Sequence, residues 1–551
     1  MQNMNVIPSG KTSTHATRVF FILVNVSFVL WLLSLANTHI YRFEPSAFYY
    51  IGQLDVFYWA GMVTIIGVVV AMLLTRARGA YNNSLALDIA CIAMFVLYLF
   101  GTPLFIYDLP RFGDVYYVLE MTETMISGAG FGLTGAGGDL GYLNSFPGAI
   151  IYFSFVKIVS GISGYQLANY YVLFLMMLLS LLVYAIARRI SGYFMLIAPI
   201  CFLSLAWAQE YHLSPQSLAL ILYLCLWLIL IIRLLGNKRS LATYFLLVML
   251  SLSIVVSHPG TPIFILLNVA ALYVVTKVLN RLKLSSVSLN RYEVMALMLP
   301  AVFWLSAVAQ AYVIQGIAML SAAVVGLSSG SYHLEYSLGM AQPDQMFVDT
   351  LRKIITVAEI AIGGLCILLL LKKESRRTGV LLGCWFASCF VFQLVAQNAV
   401  FGRFLVFALF PFAFLVSATI SRAPKYRLSR ALAAAAVILV IASALIIPLI
   451  SYGGDYYEFM PRSRISAEQY AESKNLPQIR SSDFAGDGFL ALAAEKPYNV
   501  FLTYGPQWYN FFHVKYSRGD EYAGMFNRAG QSTVYTNGEY SLQGYIIDNP
   551  S

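Results

Sequence analysis

The stretch Tyr107-Asp-Leu-Pro-Arg-Phe-Gly-Asp-Val-Tyr-Tyr-Val-Leu-Glu120, which resumes at Asn144-Ser-Phe-Pro147 after a glycine-rich run, decides how this chain is read. One apolar stretch ends just before it at Ile106, and another begins at its far side near Pro147. Asp108 and Asp114 stand six residues apart, with Glu120 and Glu123 close behind. Anchoring alone does not call for a polar insertion of this length and acidity, so the chemistry is expected here.

Working outward, the 551-residue chain is 59% hydrophobic and 11% charged, with a mean hydropathy of +0.72. Soluble domains carry about 25% charged residues, so this much apolar sequence cannot be hidden in a water-soluble core. The composition is that of a polytopic membrane protein. A net charge of +9 is compatible with a nucleic-acid partner, but the basic residues form short clusters between apolar segments. That pattern is what the orientation bias of cytoplasmic loops produces, with a minor share left for anionic lipid. All six cysteines (Cys91, Cys201, Cys225, Cys366, Cys384, Cys389) lie inside apolar segments, without metal-knuckle spacing, and imply no disulfide framework. The first apolar segment, Val19 to Leu35, is too long for a signal-peptide core and reads as a retained anchor.

A membrane-crossing helix needs about 20 apolar residues. Thirteen candidates meet this, near 18–36, 57–75, 86–106, 166–187, 191–208, 215–236, 241–257, 261–280, 293–315, 353–371, 379–397, 403–421 and 431–451, while 147–162 is short. Clusters at Lys11/Arg18, Arg76/Arg78, Arg188-Arg189, Lys238-Arg239, Lys277 to Lys283, Lys372 to Arg377 and Arg422 to Arg430 all fall on one side if 147–162 does not span. The fold class is therefore an all-α polytopic membrane protein of about 13 transmembrane helices plus a re-entrant or tilted 147–162 segment. The amino terminus is expected in the cytoplasm and the tail outside. Residues 1–451 form the membrane domain, with 107–147 as an outer loop. Residues 452–551 read as a small α/β extracytoplasmic appendage, with helix-like sequence at Ser466 to Ser473 and a hairpin signal at Asn537-Gly538 between β-branched and aromatic residues.

Each polar candidate carries a plainer alternative. Asp114 and Asp108, at the depth where the interface ends, can act as a general base or hold a divalent cation; alternatively Asp114 caps the helix that follows and Asp108 sits in water. Val115, Val118, Leu119, Thr122 and Ile126 fall on one helical stripe, which suits a helix in the interface plane, with Glu120 and Glu123 on other faces. Tyr116 on this segment joins the substrate-binding set. The run Gly128 to Gly141 has seven glycines and no phosphate-loop lysine, so it reads as a flexible connection. His258, in Ser-His-Pro-Gly at a break between two spans, is either a site group or a packed, hydrogen-bonded histidine. Glu210 and His212 precede Pro215, which can start a helix. Arg403 at the outer interface suits a lipid phosphate, or else a salt bridge to another loop, and Lys157 is a second phosphate candidate.

The order of parts resembles the GT-C superfamily of integral membrane glycosyltransferases, which includes protein O-mannosyltransferases, lipid A aminoarabinose transferases and oligosaccharyltransferase catalytic subunits. The resemblance is carried by Gly113-Asp-Val-Tyr-Tyr-Val-Leu-Glu120, a glycine-containing turn, Asn144-Ser-Phe-Pro-Gly-Ala-Ile-Ile-Tyr152, and a further span ending Ala187-Arg-Arg-Ile-Ser-Gly192. It covers the whole chain in architecture and about residues 110–192 in sequence. It implies transfer of a sugar, with inversion, from a polyprenyl-phosphate donor on the outer leaflet to a glycan, lipid or protein acceptor. Asp114 is the carboxylate it points to, with a divalent cation as the cofactor to test and no nucleic-acid partner. A multi-pass plasma-membrane location follows. Two other functions are open: a glycan polymerase or ligase using lipid-diphosphate donors, which would rely on several outer arginines where the short outer loops give mainly Arg111 and Arg403, and a lipid or solute transporter, which would need charged or broken helices at mid-bilayer.

Overall fold

The structure, a computed structural model, describes residues 12–38, 48–77, 84–107, 110–128, 145–207, 211–236, 240–282, 289–310, 314, 343–372, 375–393, 401–422 and 427–452, with strand segments 479–481, 498–504, 532–536 and 540–546. The helices are α1 Thr12–Asn37, α2 Tyr49–Gln53, α3 Val56–Ala77, α4 Leu85–Val96, a π turn Leu97–Gly101, α5 Thr102–Ile106, α6 Gly113–Ile126, α7 Gly148–Ser160, α8 Gly164–Ser191, α9 Ile197–Leu205, α10 Pro215–Gly236, α11 Leu241–Ser257, α12 Gly260–Arg281, α13 Arg291–Ala307, α14 Pro343–Leu370, α15 Arg376–Gln393, α16 Phe401–Ile420 and α17 Arg427–Tyr452. Among the described residues, eight helical stretches are long and apolar enough to cross a bilayer: His15–Asn37, Val56–Ala77, Leu85–Ile106, Gly164–Ser191, Pro215–Gly236, Gly260–Arg281, Met346–Leu370 and Ala434–Tyr452. Gly148–Ser160, Leu241–Ser257 and Leu405–Ile420 are shorter apolar helices.

The described contacts sort the helix ends into two sets. At one end, Arg76 at the close of α3 pairs with Asp88 at the start of α4, and Tyr184 near the end of α8 donates to the same carboxylate at 2.8 Å. Arg233 near the end of α10 pairs with Glu293 at the start of α13 at 2.5 Å, and Arg377 of α15 donates to the Leu234 carbonyl. Ser417, late in α16, donates to the Phe194 carbonyl in the 3-10 turn Gly192–Phe194 after α8. These contacts gather the segments that carry the Arg76, Arg188-Arg189 and Arg376-Arg377 clusters at one end of the bundle, the cluster end. At the other end, Asn37 meets Asp55, Trp304 of α13 donates to the Ser145 carbonyl, and Gly148 packs against Ser257. Two buried ion pairs thus close the cluster end, and such pairs are favourable in low dielectric only because each carboxylate has further hydrogen-bond partners.

Both ends of α7 touch residues of this second end. Gly148 lies so near Ser257 that a Cβ would come within 2.8 Å of the Ser257 Oγ. Lys157, a turn before the α7 C-terminus, pairs with Glu123 of α6. A Cβ on Gly164, where α8 starts, would meet Leu119 of α6 at 3.3 Å. The left-handed Gly161 (φ 67°) reverses the chain between α7 and α8, and the Ser163/Gln166 capping box starts α8.

The expected crossing at 191–208 is corrected. Its helix, α9, has nine residues. At 1.5 Å per residue it covers about 14 Å of a hydrocarbon layer near 30 Å thick. What lengthens the path is a turn before it and irregular backbone after it: Ala206, Trp207 and residues 211–214 are non-helical and buried. Open backbone of this kind survives at membrane depth only when protein covers it. Every α9 side chain is buried, so apolarity there marks an interior helix and not one facing lipid. The 293–315 candidate also differs, since α13 ends at Ala307.

Asp114 does not cap the following helix. Phe112 holds the N-cap position with extended backbone, and Asp114 is the second helical residue. In the tail, β1 Ile479–Ser481, β2 Tyr498–Tyr504, β3 Ser532–Thr536 and β4 Tyr540–Ile546 pair in the order β1-β2-β4-β3. The strands on either side of Asn537-Gly538 are antiparallel, with Thr536 opposite Ser541. The sequence at 466–473 lies outside the described residues.

Candidate functional site

Residues at the end opposite the clusters build one cavity from five parts of the chain. The π turn gives Phe100, the segment before and at the start of α6 gives Arg111, Phe112 and Val115, and α8 gives Asn169. The buried irregular strand after α9 gives Trp207, Tyr211 and His212, and the last turn of α17 gives Ser451 and Tyr452. Its volume, counted to the open mouth, is about 560 Å³.

The local chemistry explains why these parts meet. A π turn in the 85–106 span inserts a residue and leaves carbonyls without their usual helical partners. Side chains take them up: Tyr58 donates to the Tyr98 carbonyl at 3.1 Å, Thr102 to those of Tyr98 and Leu97 at 3.0 and 3.3 Å, and Tyr452 to that of Leu99. Trp31 of α1 in turn donates to the Thr102 hydroxyl at 3.0 Å. Tyr452 is thereby fixed, with its ring 4.6 Å from that of Tyr50. The Arg111 guanidinium lies 4.1 Å from the Tyr452 ring centre and 4.8 Å from that of Phe112, and donates to the Ser451 carbonyl at 3.4 Å. The buried His212 ring also packs against Phe112, at 4.5 Å and tilted 31°. Arg352 of α14 donates to the Ile450 carbonyl at 2.9 and 2.5 Å and covers the Trp207 ring at 5.5 Å. Two guanidinium groups therefore hold the carbonyl end of α17, where the helix dipole favours positive charge.

The sequence candidates divide. His212 lines the cavity. Tyr116 is fully buried and donates to the Pro110 carbonyl at 2.9 Å, closing the loop that leads into α6. Asp114 lies between the cavity-lining Phe112 and Val115 in the first turn of α6, where the helix dipole favours a negative charge. Arg403 is the third residue of α16, at the end opposite Ser417. Asp108 and Glu210 lie outside the described residues. Two candidates are placed elsewhere. Lys157 is joined to Glu123, tying α7 to α6. His258 accepts from the Thr261 backbone N–H at 3.1 Å through Nδ1, which also lies 2.9 Å from the Thr261 hydroxyl, so its ring caps the start of α12. Among the described residues no group of three His, Cys, Asp or Glu side chains could hold a metal ion.

Tyr452, Trp207 and Arg352 were not singled out by the sequence, and Arg111 entered only as an outer arginine for the lipid-diphosphate alternative. Arg352 carried a usable signal, because a cation within an apolar helix is expensive unless it has partners. Tyr452 carried none, since an aromatic at the end of a span is ordinary interface anchoring.

No protein-family model and no curated protein sequence matches this chain. Among solved structures it is similar to the crystal structure of ArnT from Cupriavidus metallidurans bound to undecaprenyl phosphate, at 11% identity and a TM-score of 0.48, covering 84% of this chain and 98% of that one. It is also similar to the archaeal oligosaccharyltransferase AglB from Archaeoglobus fulgidus in complex with an inhibitory peptide and a dolichol-phosphate. That likeness has 14% identity and a TM-score of 0.42, and covers 70% of this chain and 57% of that one.

Proposed function

We propose that this chain is a membrane glycosyltransferase that moves a sugar from a polyprenyl-phosphate donor to an acceptor on the extracytoplasmic face. The observation that carries the reading is the position of Asp114, flanked by two cavity-lining residues in a turn that also brings Arg111 to the cavity that His212 lines from the segment after α9. An acidic residue, a guanidinium and an imidazole beside an apolar bundle fit a substrate that is anionic at one end and lipid at the other. In the proposed step the acceptor hydroxyl oxygen attacks the anomeric carbon and the bond from that carbon to the phosphate oxygen breaks. Polyprenyl phosphate leaves with the bonding pair, and Asp114 takes the acceptor proton. The alternative role for Asp114, holding a divalent cation together with Asp108, is separated by chelation.

The cluster end would face the cytoplasm, by the excess of Lys and Arg there. The cavity, α7 and the sheet-bearing tail would then lie outside, with α7 as the tilted segment that does not cross. The test is a transfer assay on purified full-length protein with a panel of polyprenyl-phosphate sugars, comparing the native chain with Asp114→Asn, with and without EDTA. Transfer by the native chain that Asp114→Asn abolishes supports the proposal; equal transfer by both rejects the assignment of Asp114.

A second reading, a glycan ligase or polymerase using a lipid diphosphate, gains from Arg352 standing with Arg111 at the end of α17. Including lipid-diphosphate oligosaccharides in the donor panel decides between the two.

A further inference from the structure

We infer that Tyr452 is a positioning residue, whose ring holds the Arg111 guanidinium at the cavity as the group that receives a lipid-borne phosphate monoester. The inference rests on the proposed function only for the identity of that anion. The geometry begins in the π turn. Its irregular backbone leaves the Leu99 carbonyl to the Tyr452 hydroxyl, and this bond fixes the last residue of α17 against the third span. Tyr50 packs against the same ring from α2. The ring so held lies 4.1 Å from the Arg111 guanidinium carbon, with Phe112 at 4.8 Å. A guanidinium over aromatic faces keeps its charge while its long side chain loses freedom to turn, so less is lost when it forms paired hydrogen bonds to phosphate.

Among the described residues, Lys157, Arg352 and Lys353 do not line the cavity. Lys157 is paired with Glu123, and Arg352 donates twice to the Ile450 carbonyl. Arg111 is the described cation that lines the cavity itself. It stands three residues before Asp114, in a turn that the Tyr116 hydroxyl closes onto Pro110. The distance between the anion-holding group and the acid is thus set by one short piece of chain. The sequence pointed to Arg403 and Lys157 for the phosphate; this geometry points to Arg111.

The test measures binding without turnover. The full-length protein in nanodiscs is titrated with polyprenyl phosphate, with the uncharged polyprenol and with inorganic phosphate, comparing wild type, Arg111→Lys, Tyr452→Phe and Tyr452→Leu. The expected result is a preference for polyprenyl phosphate over polyprenol that falls about tenfold in Arg111→Lys and in Tyr452→Leu, and about threefold in Tyr452→Phe, which keeps the ring but loses its anchor. Polyprenol affinity should stay unchanged, a pattern that general loosening of the fold would not give. If Tyr452→Leu does not fold, the two conservative variants decide. A wild-type preference in Arg111→Lys and Tyr452→Phe overturns the inference, as does inorganic phosphate binding as tightly as the lipid. Loss of this preference in a protein that transfers no sugar would leave the inference standing and reject the transferase reading; the reverse pattern would reject only the inference.

Discussion

Asp114 and His258 are both ionisable residues placed where a span is interrupted, yet the structure gives them different surroundings. Asp114 stands in a helical first turn flanked by the cavity-lining Phe112 and Val115. His258 spends its Nδ1 on Thr261 at the head of α12. Asp114→Asn is therefore expected to lower sugar transfer by about 10² to 10⁴-fold, the usual contribution of a general base, while leaving lipid-phosphate binding intact. Initial rates and binding isotherms measured on the same preparation check this. His258→Ala removes a cap, for which a loss of about 1 kcal/mol in stability is expected with little change in transfer. A large fall in transfer without a fall in thermal stability would return His258 to the site.

At the scale of elements, two joints hold the first three long helices. At Gly61 a Cβ would fall 1.7 Å from the Tyr98 hydroxyl, which itself donates to the Ser27 carbonyl of α1 at 2.6 Å. Gly61→Ala should push Tyr98 aside and destabilise the α1–α3–α4 contact by about 1–3 kcal/mol, the usual cost of overpacking. Adding Tyr98→Phe should recover part of the loss, since the hydroxyl is the nearest obstacle, and thermal unfolding in detergent of the single and double variants tests the coupling. The second joint is the buried Arg76–Asp88 pair with Tyr184. Asp88→Asn leaves a buried guanidinium without its counter-charge and should cost about 3–5 kcal/mol, whereas the double change Arg76→Met with Asp88→Leu should regain much of it. Equal destabilisation by the single and double changes would show that the pair does more than balance charge.

For the whole molecule, the alternation of helix ends predicts sidedness. A cysteine placed at Ser160 should react with a membrane-impermeant maleimide added to intact cells, and one placed at Arg189 should react only after the membrane is opened. Labelling of both from one side would break the proposed topology. The six native cysteines suit such work, because each is buried or half-buried within the bundle. The same alternation explains why short elements are tolerated here. The nine-residue α9 and the open backbone beside it are enclosed by α8, α16 and α17, so their polar groups do not meet lipid.

What the sequence determined by itself was the membrane class, the places of the long spans, the separation of basic clusters, and the acidic loop with Asp114. These are properties of local composition: hydrocarbon thickness fixes how long an apolar run must be, and charged residues collect in the loops between runs. Only the tertiary structure decided that 191–208 is an interior helix of nine residues, that Lys157 pairs with Glu123, and that His258 caps a helix. Apolarity cannot tell lipid from protein as a neighbour, and a lone charge does not announce its partner. The cavity itself was out of reach of the sequence for the same reason. It joins Leu99, Arg111, His212 and Tyr452, residues far apart along the chain, through a π turn whose irregular hydrogen bonding leaves no mark in hydrophobic periodicity.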